Sequence, residues 1–117
     1  MNESRRLMLI GRPGNRLGES ARRHGWSLEP SPTPFDALAT LSENGSTDPV
    51  LLDVEAVHPR TEALLSALRS ASPSLPVYLL APPHLEPEAR RAVRNDADAD
   101  YLIAPMDGSD WRAIGAR

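Results

Sequence analysis

The chain has 117 residues and a mass of 12.7 kDa, the length of one domain able to bury roughly two-thirds of its unfolded surface. Its 40% hydrophobic and 25% charged residues exclude wholesale disorder, and the absence of cysteine excludes disulfides, thiolate metal sites and a cysteine nucleophile. The net charge of -3 argues against a broad nucleic-acid-binding face, and all 13 basic residues are Arg, so chemistry that requires a lysine ammonium is excluded.

The first apolar run, Leu7 to Ile10, reads as a strand. It is far shorter than the about 7–15 apolar residues of a signal peptide or the about 20 of a membrane span, so a cytoplasmic domain with no membrane contact is expected. Asn15 to His24 reads as a helix with Leu17 and Ala21 on one face, and Gly25 is its expected stop. Trp26-Ser27-Leu28 is a weaker run that suits an edge strand, and the proline-rich stretch from Pro30 to Pro34 reads as a loop. Thr33 can cap a second helix with Pro34 in its first turn, followed by an apolar stripe of Phe35, Leu38, Ala39 and Leu41 that ends near Asn44-Gly45.

Val50 to Val54, interrupted by Asp53, is the third strand. Arg60 to Ser70 is a third helix with Leu64, Leu65 and Leu68 facing inward. Val77 to Ala81 is the fourth strand, and Pro87 to Arg94 is a fourth helix with only Ala89, Ala92 and Val93 to pack. Tyr101 to Ala104 is the fifth strand, and Gly108 to Ala116 a short last helix with Trp111 and Ile114 inward. Most strand runs are continuously apolar and flanked by Pro, Gly or charge, as in strands buried on both faces. Five alternating strand–helix units predict a flavodoxin-like, three-layer, doubly wound α/β fold with a five-stranded parallel sheet in the order 2-1-3-4-5. Residues 1–117 are expected to form one domain, and the short last helix suggests a domain cut from, or naturally lacking, something C-terminal.

Ligands in this architecture bind beyond the carboxyl ends of the strands, here Gly11-Arg12, Asp53, Ala81-Pro82 and Ala104-Pro105. Three segments carry a resemblance: Val50 to Asp53, Pro76 to Ala81, and Ala97-Asp98-Ala99-Asp100-Tyr101-Leu102-Ile103-Ala104-Pro105. Together they resemble the receiver domains of bacterial response regulators, and the last resembles that family's G-A-D-D-Y-L-x-K-P ending.

The resemblance implies that Asp53 stands where the family's phosphoacceptor aspartate stands. The family's acidic pair, which holds Mg²⁺ with that aspartate, falls on Gly11 and Arg12. Its hydroxyl position falls on Ala81, its lysine on Ala104, and its switch aromatic on Tyr101. Ala104-Pro105 matches a Lys-Pro pair whose peptide bond is typically cis. Phosphoryl transfer to a carboxylate needs a divalent cation and charge compensation for the transferred oxygens. One carboxylate is a poor Mg²⁺ ligand set, and a nearby guanidinium repels the metal. The resemblance is therefore to a degenerate, non-catalytic receiver with no metal and no cofactor.

Asp53 can be a retained carboxylate held by Arg12 or by backbone N–H groups, or an atypical phosphoacceptor. Arg12 can be an internal cation, with Arg16 as competitor, an anion-binding group, or a solvated loop residue. Gly11-Arg12-Pro13-Gly14 lacks both the lysine of a P-loop and the glycine spacing of a dinucleotide fingerprint. His24, His58 and His84 match no metal spacing. The family resemblance also implies an output domain or partner protein, contacted through the fourth helix, fifth strand and fifth helix. Arg90, Arg91, Arg94, Asp98 and Tyr101 are the expected interface residues. Degenerate receivers occur at the N-termini of some sigma-54-dependent transcriptional regulators. Pairing of the arginines with the acidic run Asp96, Asp98 and Asp100 also suggests a weak homodimer.

Overall fold

Successive side chains of a strand point to opposite faces, so a continuous apolar run can be satisfied only when both faces are covered. A computed structural model of the chain, describing residues 5–11, 14–31, 33, 36–39 and 48–116, has this arrangement. In chain order it contains β1 (Arg5–Ile10), α1 (Asn15–Arg23), β2 (Trp26–Ser31), β3 (Val50–Asp53), α2 (Val54–Val57) and α3 (Thr61–Ala71). These are followed by β4 (Val77–Ala81), a 3-10 turn (Pro83–Leu85), α4 (Glu86–Val93), β5 (Ala99–Ile103) and α5 (Gly108–Gly115). Residues 36–39 are helical, and the rest of the expected second helix, with Pro34, Phe35 and Leu41, lies outside the described residues. The five strands pair in parallel in the order β2-β1-β3-β4-β5.

One face of the sheet buries Leu7, Leu9, Leu51, Tyr78 and Leu80 against Ala21 of α1 and Trp111 and Ile114 of α5. The other buries Met8, Ile10, Val50, Leu52, Val77 and Leu79 against Leu64, Leu65 and Leu68 of α3 and Ala89 of α4. Neighbours in sequence therefore serve different layers. Trp111, almost wholly buried, donates its indole N–H to Ser20 Oγ at 2.8 Å and so ties α5 to α1. The Arg5 guanidinium stacks 4.6 Å above the Trp26 ring and donates to the Gly115 carbonyl at 3.3 Å, which fixes the end of α5.

Local signals act as expected at several ends. Gly25, at φ 83°, follows α1, and the Asp36 N–H donates to Thr33 Oγ1 at 3.2 Å. Asp107 and Asp110 form a reciprocal capping box at the start of α5, each side chain accepting the other's backbone N–H at 3.0 Å. β2 corrects one expectation. It runs to Ser31 and takes in Pro30, which sequence places in a loop. β2 is an edge strand paired only with β1, and an edge tolerates a residue that cannot donate to a ladder.

The acidic run before β5 begins with a residue bonded to α3. Asp96 is held by Arg69 of α3, with Nε donating to Oδ2 and Nη2 to Oδ1, both at 3.0 Å. Arg69 Nη1 also donates to the carbonyls of Ser72, Pro73 and Leu75 at 3.3, 3.1 and 2.7 Å. One planar guanidinium thus closes the end of α3 and pins the turn after α4 to it. Arg69→Ala is expected to lower unfolding free energy by about 2–3 kcal/mol in urea titrations. Arg69→Lys should recover only part of this, because an ammonium cannot make the two parallel bonds.

Candidate functional site

The strand register brings distant residues to one edge. Ile10 pairs with Leu52, Asp53 with Leu80, and Ala81 with Ile103. Gly11, Asp53, Ala81 and Ala104 therefore stand at the carboxyl ends of four adjacent strands. Arg12 lies outside the described residues.

Asp53 ends β3 because its side chain starts the next element. It N-caps α2, with Oδ1 accepting the Glu55 N–H at 3.1 Å. The carboxyl is half-buried. Desolvation pushes its pKa above the ordinary aspartate range, opposed by the Glu55 N–H bond and reinforced by the Glu55 charge. Among the described residues, the carboxylate is thus held by backbone N–H donation, one of the arrangements anticipated. The Glu55 side chain is exposed.

Gly11 is constrained by this carboxylate. Its φ is +138°, a conformation side chains rarely adopt, and a Cβ there would lie 2.7 Å from Asp53 Cβ and 3.3 Å from Oδ2. Asp53 occupies the space that a residue-11 side chain would need. Ala81 is fully buried, and its carbonyl accepts the Ala104 N–H at 2.9 Å. Ala104 packs partly buried against the α1/α5 core, and the Ala104–Pro105 peptide is cis. The hydroxyl and ammonium positions of the receiver pattern are therefore two methyl groups.

These residues do not fit Mg²⁺. The ion requires several oxygen donors in octahedral array. At this edge Asp53 supplies a carboxylate, residue 11 cannot supply a second without moving the backbone, and no group of three His, Cys, Asp or Glu among the described residues could hold a metal.

The expected interface residues lie on and after α4. Arg90 pairs with Glu86 of its own helix at 3.4 Å, while Arg91 and Arg94 are exposed. Asp98 is exposed, and its N–H donates to Asp96 Oδ1 at 3.0 Å. Tyr101 is partly buried against the α3/α4 core. Within the chain, Arg69 pairs with Asp96 and Glu86 with Arg90.

One polar cluster is not legible in the sequence. Thr61, wholly buried at the start of α3, donates its hydroxyl to Glu88 Oε2 at 2.5 Å. His58, which closes α2 with its N–H on the Val54 carbonyl at 2.8 Å, meets Glu88 Oε1 through Nδ1 at 2.5 Å. A carboxylate can only accept, so Nδ1 carries the proton. Burial pushes the Glu88 carboxyl up, but the bonds from Thr61 and His58 and the charges of His58 and Arg91 outweigh it, and the net shift is downward. The partners are about 30 residues apart, with no spacing rule to reveal them.

The two carboxylates have opposite linkage signs. Asp53 titrates higher in the folded chain than in the unfolded one, so its contribution to stability falls as pH rises through the interval between those values. Asp53→Asn, which keeps an acceptor for the Glu55 N–H, is expected to raise the melting temperature at neutral pH, the gain vanishing below the ordinary aspartate range. Glu88 titrates lower in the folded chain, so its contribution is present above the ordinary glutamate range and is lost as pH falls through the folded value. Glu88→Gln should therefore lower the melting temperature at neutral pH, with the gap closing in acid. Thermal unfolding of both variants across the acid-to-neutral range checks both signs.

No protein-family model and no curated protein matches the sequence. Solved structures do match the fold. Full-length FixJ from B. japonicum superimposes with a TM-score of 0.77 at 17% identity, over 96% of this chain and 56% of that one. A response regulator receiver domain protein from Clostridium thermocellum gives 0.76 at 17% identity, over 95% of this chain and 91% of that one. The receiver domain of NtrX from Brucella abortus gives 0.73 at 19% identity, over 93% of each chain. At such identities the likeness establishes architecture, and the architecture of this chain is that of the response regulator receiver domain.

Proposed function

We propose that this chain is a pseudo-receiver: a signalling module with the receiver fold that regulates an output domain or partner protein by contact, without phosphoryl transfer. The observation that carries this reading is the close approach of Gly11 to Asp53, with Ala81 and Ala104 at the neighbouring strand ends. The carboxylate of Asp53 is retained, but as the cap of α2. Metal-assisted attack on a phosphoryl group has no second carboxylate at residue 11 and no hydroxyl or ammonium to receive the transferred oxygens.

The likeness to full-length regulators supports an output-domain partner. The chain covers 56% of FixJ and 26% of a longer NtrX chain, so both extend well beyond the matched part. A cytoplasmic regulator of transcription, of the kind found among sigma-54-dependent activators, is the setting this reading favours. Among the described residues, no helix is long and apolar enough to cross a membrane. The contact surface is the face of α4, β5 and α5, with Arg91, Arg94 and Asp98 exposed and Tyr101 set against the core. A homodimer through this face is the weaker use of it, since Arg69 already neutralises Asp96 and exposed ion pairs contribute only about 0–1 kcal/mol each.

The test is incubation with Mg²⁺ and a small phosphodonor, and separately with beryllofluoride, followed by intact mass and amide NMR spectra. The expected result is no added phosphoryl mass and no spectral change. Stoichiometric modification of Asp53, or saturable beryllofluoride binding, overturns the reading.

A further inference from the structure

We propose that Glu88 is the group through which the state of Asp53 reaches α4. The argument begins with what holds α4. Ala89 is the only residue of this helix that is wholly buried, and Ala92 and Val93 add partial packing. The helix is lightly anchored by apolar contact, so polar bonds carry an unusual share of its placement. Among the described residues, the side-chain bonds between α4 and the segment following Asp53 converge on Glu88.

A continuous bonded path connects the two. Asp53 caps α2 through the Glu55 N–H at 3.1 Å. α2 is a single turn, so its two ends are not independent. Its far end is His58, whose N–H bonds back to the Val54 carbonyl and whose ring grips Glu88 Oε1. The other Glu88 oxygen takes the hydroxyl of buried Thr61, which ties the carboxylate to the start of α3. Glu88 thus joins a fixed element to the short turn that Asp53 caps. The charged groups that act on it are His58, which closes α2, and Arg91, one turn along α4.

When Asp53 ceases to cap, by protonation or by contact with a partner, the first turn of α2 loses its N–H acceptor. His58 then shifts relative to Glu88 while Thr61 stays in place, and α4 moves with the carboxylate. Ala81 and Ala104 cannot supply a polar side chain for such a link at the ends of β4 and β5. This inference rests on the pseudo-receiver reading only for the use made of α4; the coupling itself is independent of any partner or phosphodonor.

The experiment is a double-mutant cycle read by amide NMR on the whole chain. Spectra are recorded for the parent, Asp53→Ala, Glu88→Gln and the double variant. Gln keeps an acceptor for Thr61 but replaces the oxygen facing His58 with a donor. In the parent background Asp53→Ala should move the amides of α4. In the Glu88→Gln background those shifts should shrink by about half or more, while the shifts within α2 stay the same. If α4 does not respond to Asp53→Ala, or responds equally in both backgrounds, the proposal is overturned. His58→Ala, at an exposed position, supplies the same cycle should Glu88→Gln fail to fold. The outcome is separable from the phosphodonor test, since an inert Asp53 and an uncoupled α4 are different results.

Discussion

Burial of both faces of the parallel sheet is the constraint on which the rest of the molecule depends. Leu7 and Leu9 serve the α1/α5 layer while Met8 and Ile10 serve the α3/α4 layer, and β3 and β4 divide in the same way. A one-residue slip in any central strand would exchange the two sets and bring every side chain to the wrong layer. The register is therefore strongly determined, and with it the alignment of the strand ends. The candidate site is a by-product of that register: Asp53 meets Gly11 because Leu52 pairs with Ile10.

At this edge the chemistry turns on what engages the Asp53 carboxylate. A carboxylate that is to attack phosphorus must be free, solvated by a metal and flanked by donors for the transferred oxygens. Asp53 is instead half-buried, bonded to the backbone and laid against a glycine. Burial raises its pKa, and the cap bond offsets this only partly. Its Oδ1 accepts the Glu55 N–H at the start of α2, a bond that needs an acceptor at that point and no metal.

The charged residues divide by what they can reach. Arg69 closes the end of α3, Arg5 stacks on Trp26 and holds the end of α5, and Arg90 is paired within its helix. Arg91 and Arg94 point from a helix that is only lightly packed, beside an exposed Asp98. A helix held by few apolar contacts can change its placement at smaller energetic cost than one that is deeply packed.

Patterning sufficed for the architecture. Short, continuously apolar runs separated by helical stripes imply a two-faced parallel sheet, and the weak run at Trp26 implies an edge, because solvent exclusion acts on local composition. The alanines and glycine at the strand ends were equally legible, as was the cis peptide at Ala104–Pro105 from the loop it resembles. Pro30 within β2 was not, since tolerance of a missing N–H depends on having no neighbour on one side. Nor were the partners of Arg69 and Glu88. A guanidinium among several can bond to any carboxylate within reach, and only the packing of α3 against α4 decided that Asp96 belongs to Arg69 and that Glu88 closes on Thr61 and His58. Composition and periodicity determined which residues are buried; tertiary packing decided which polar groups meet, because long-range hydrogen bonds are set by distances that local sequence does not encode.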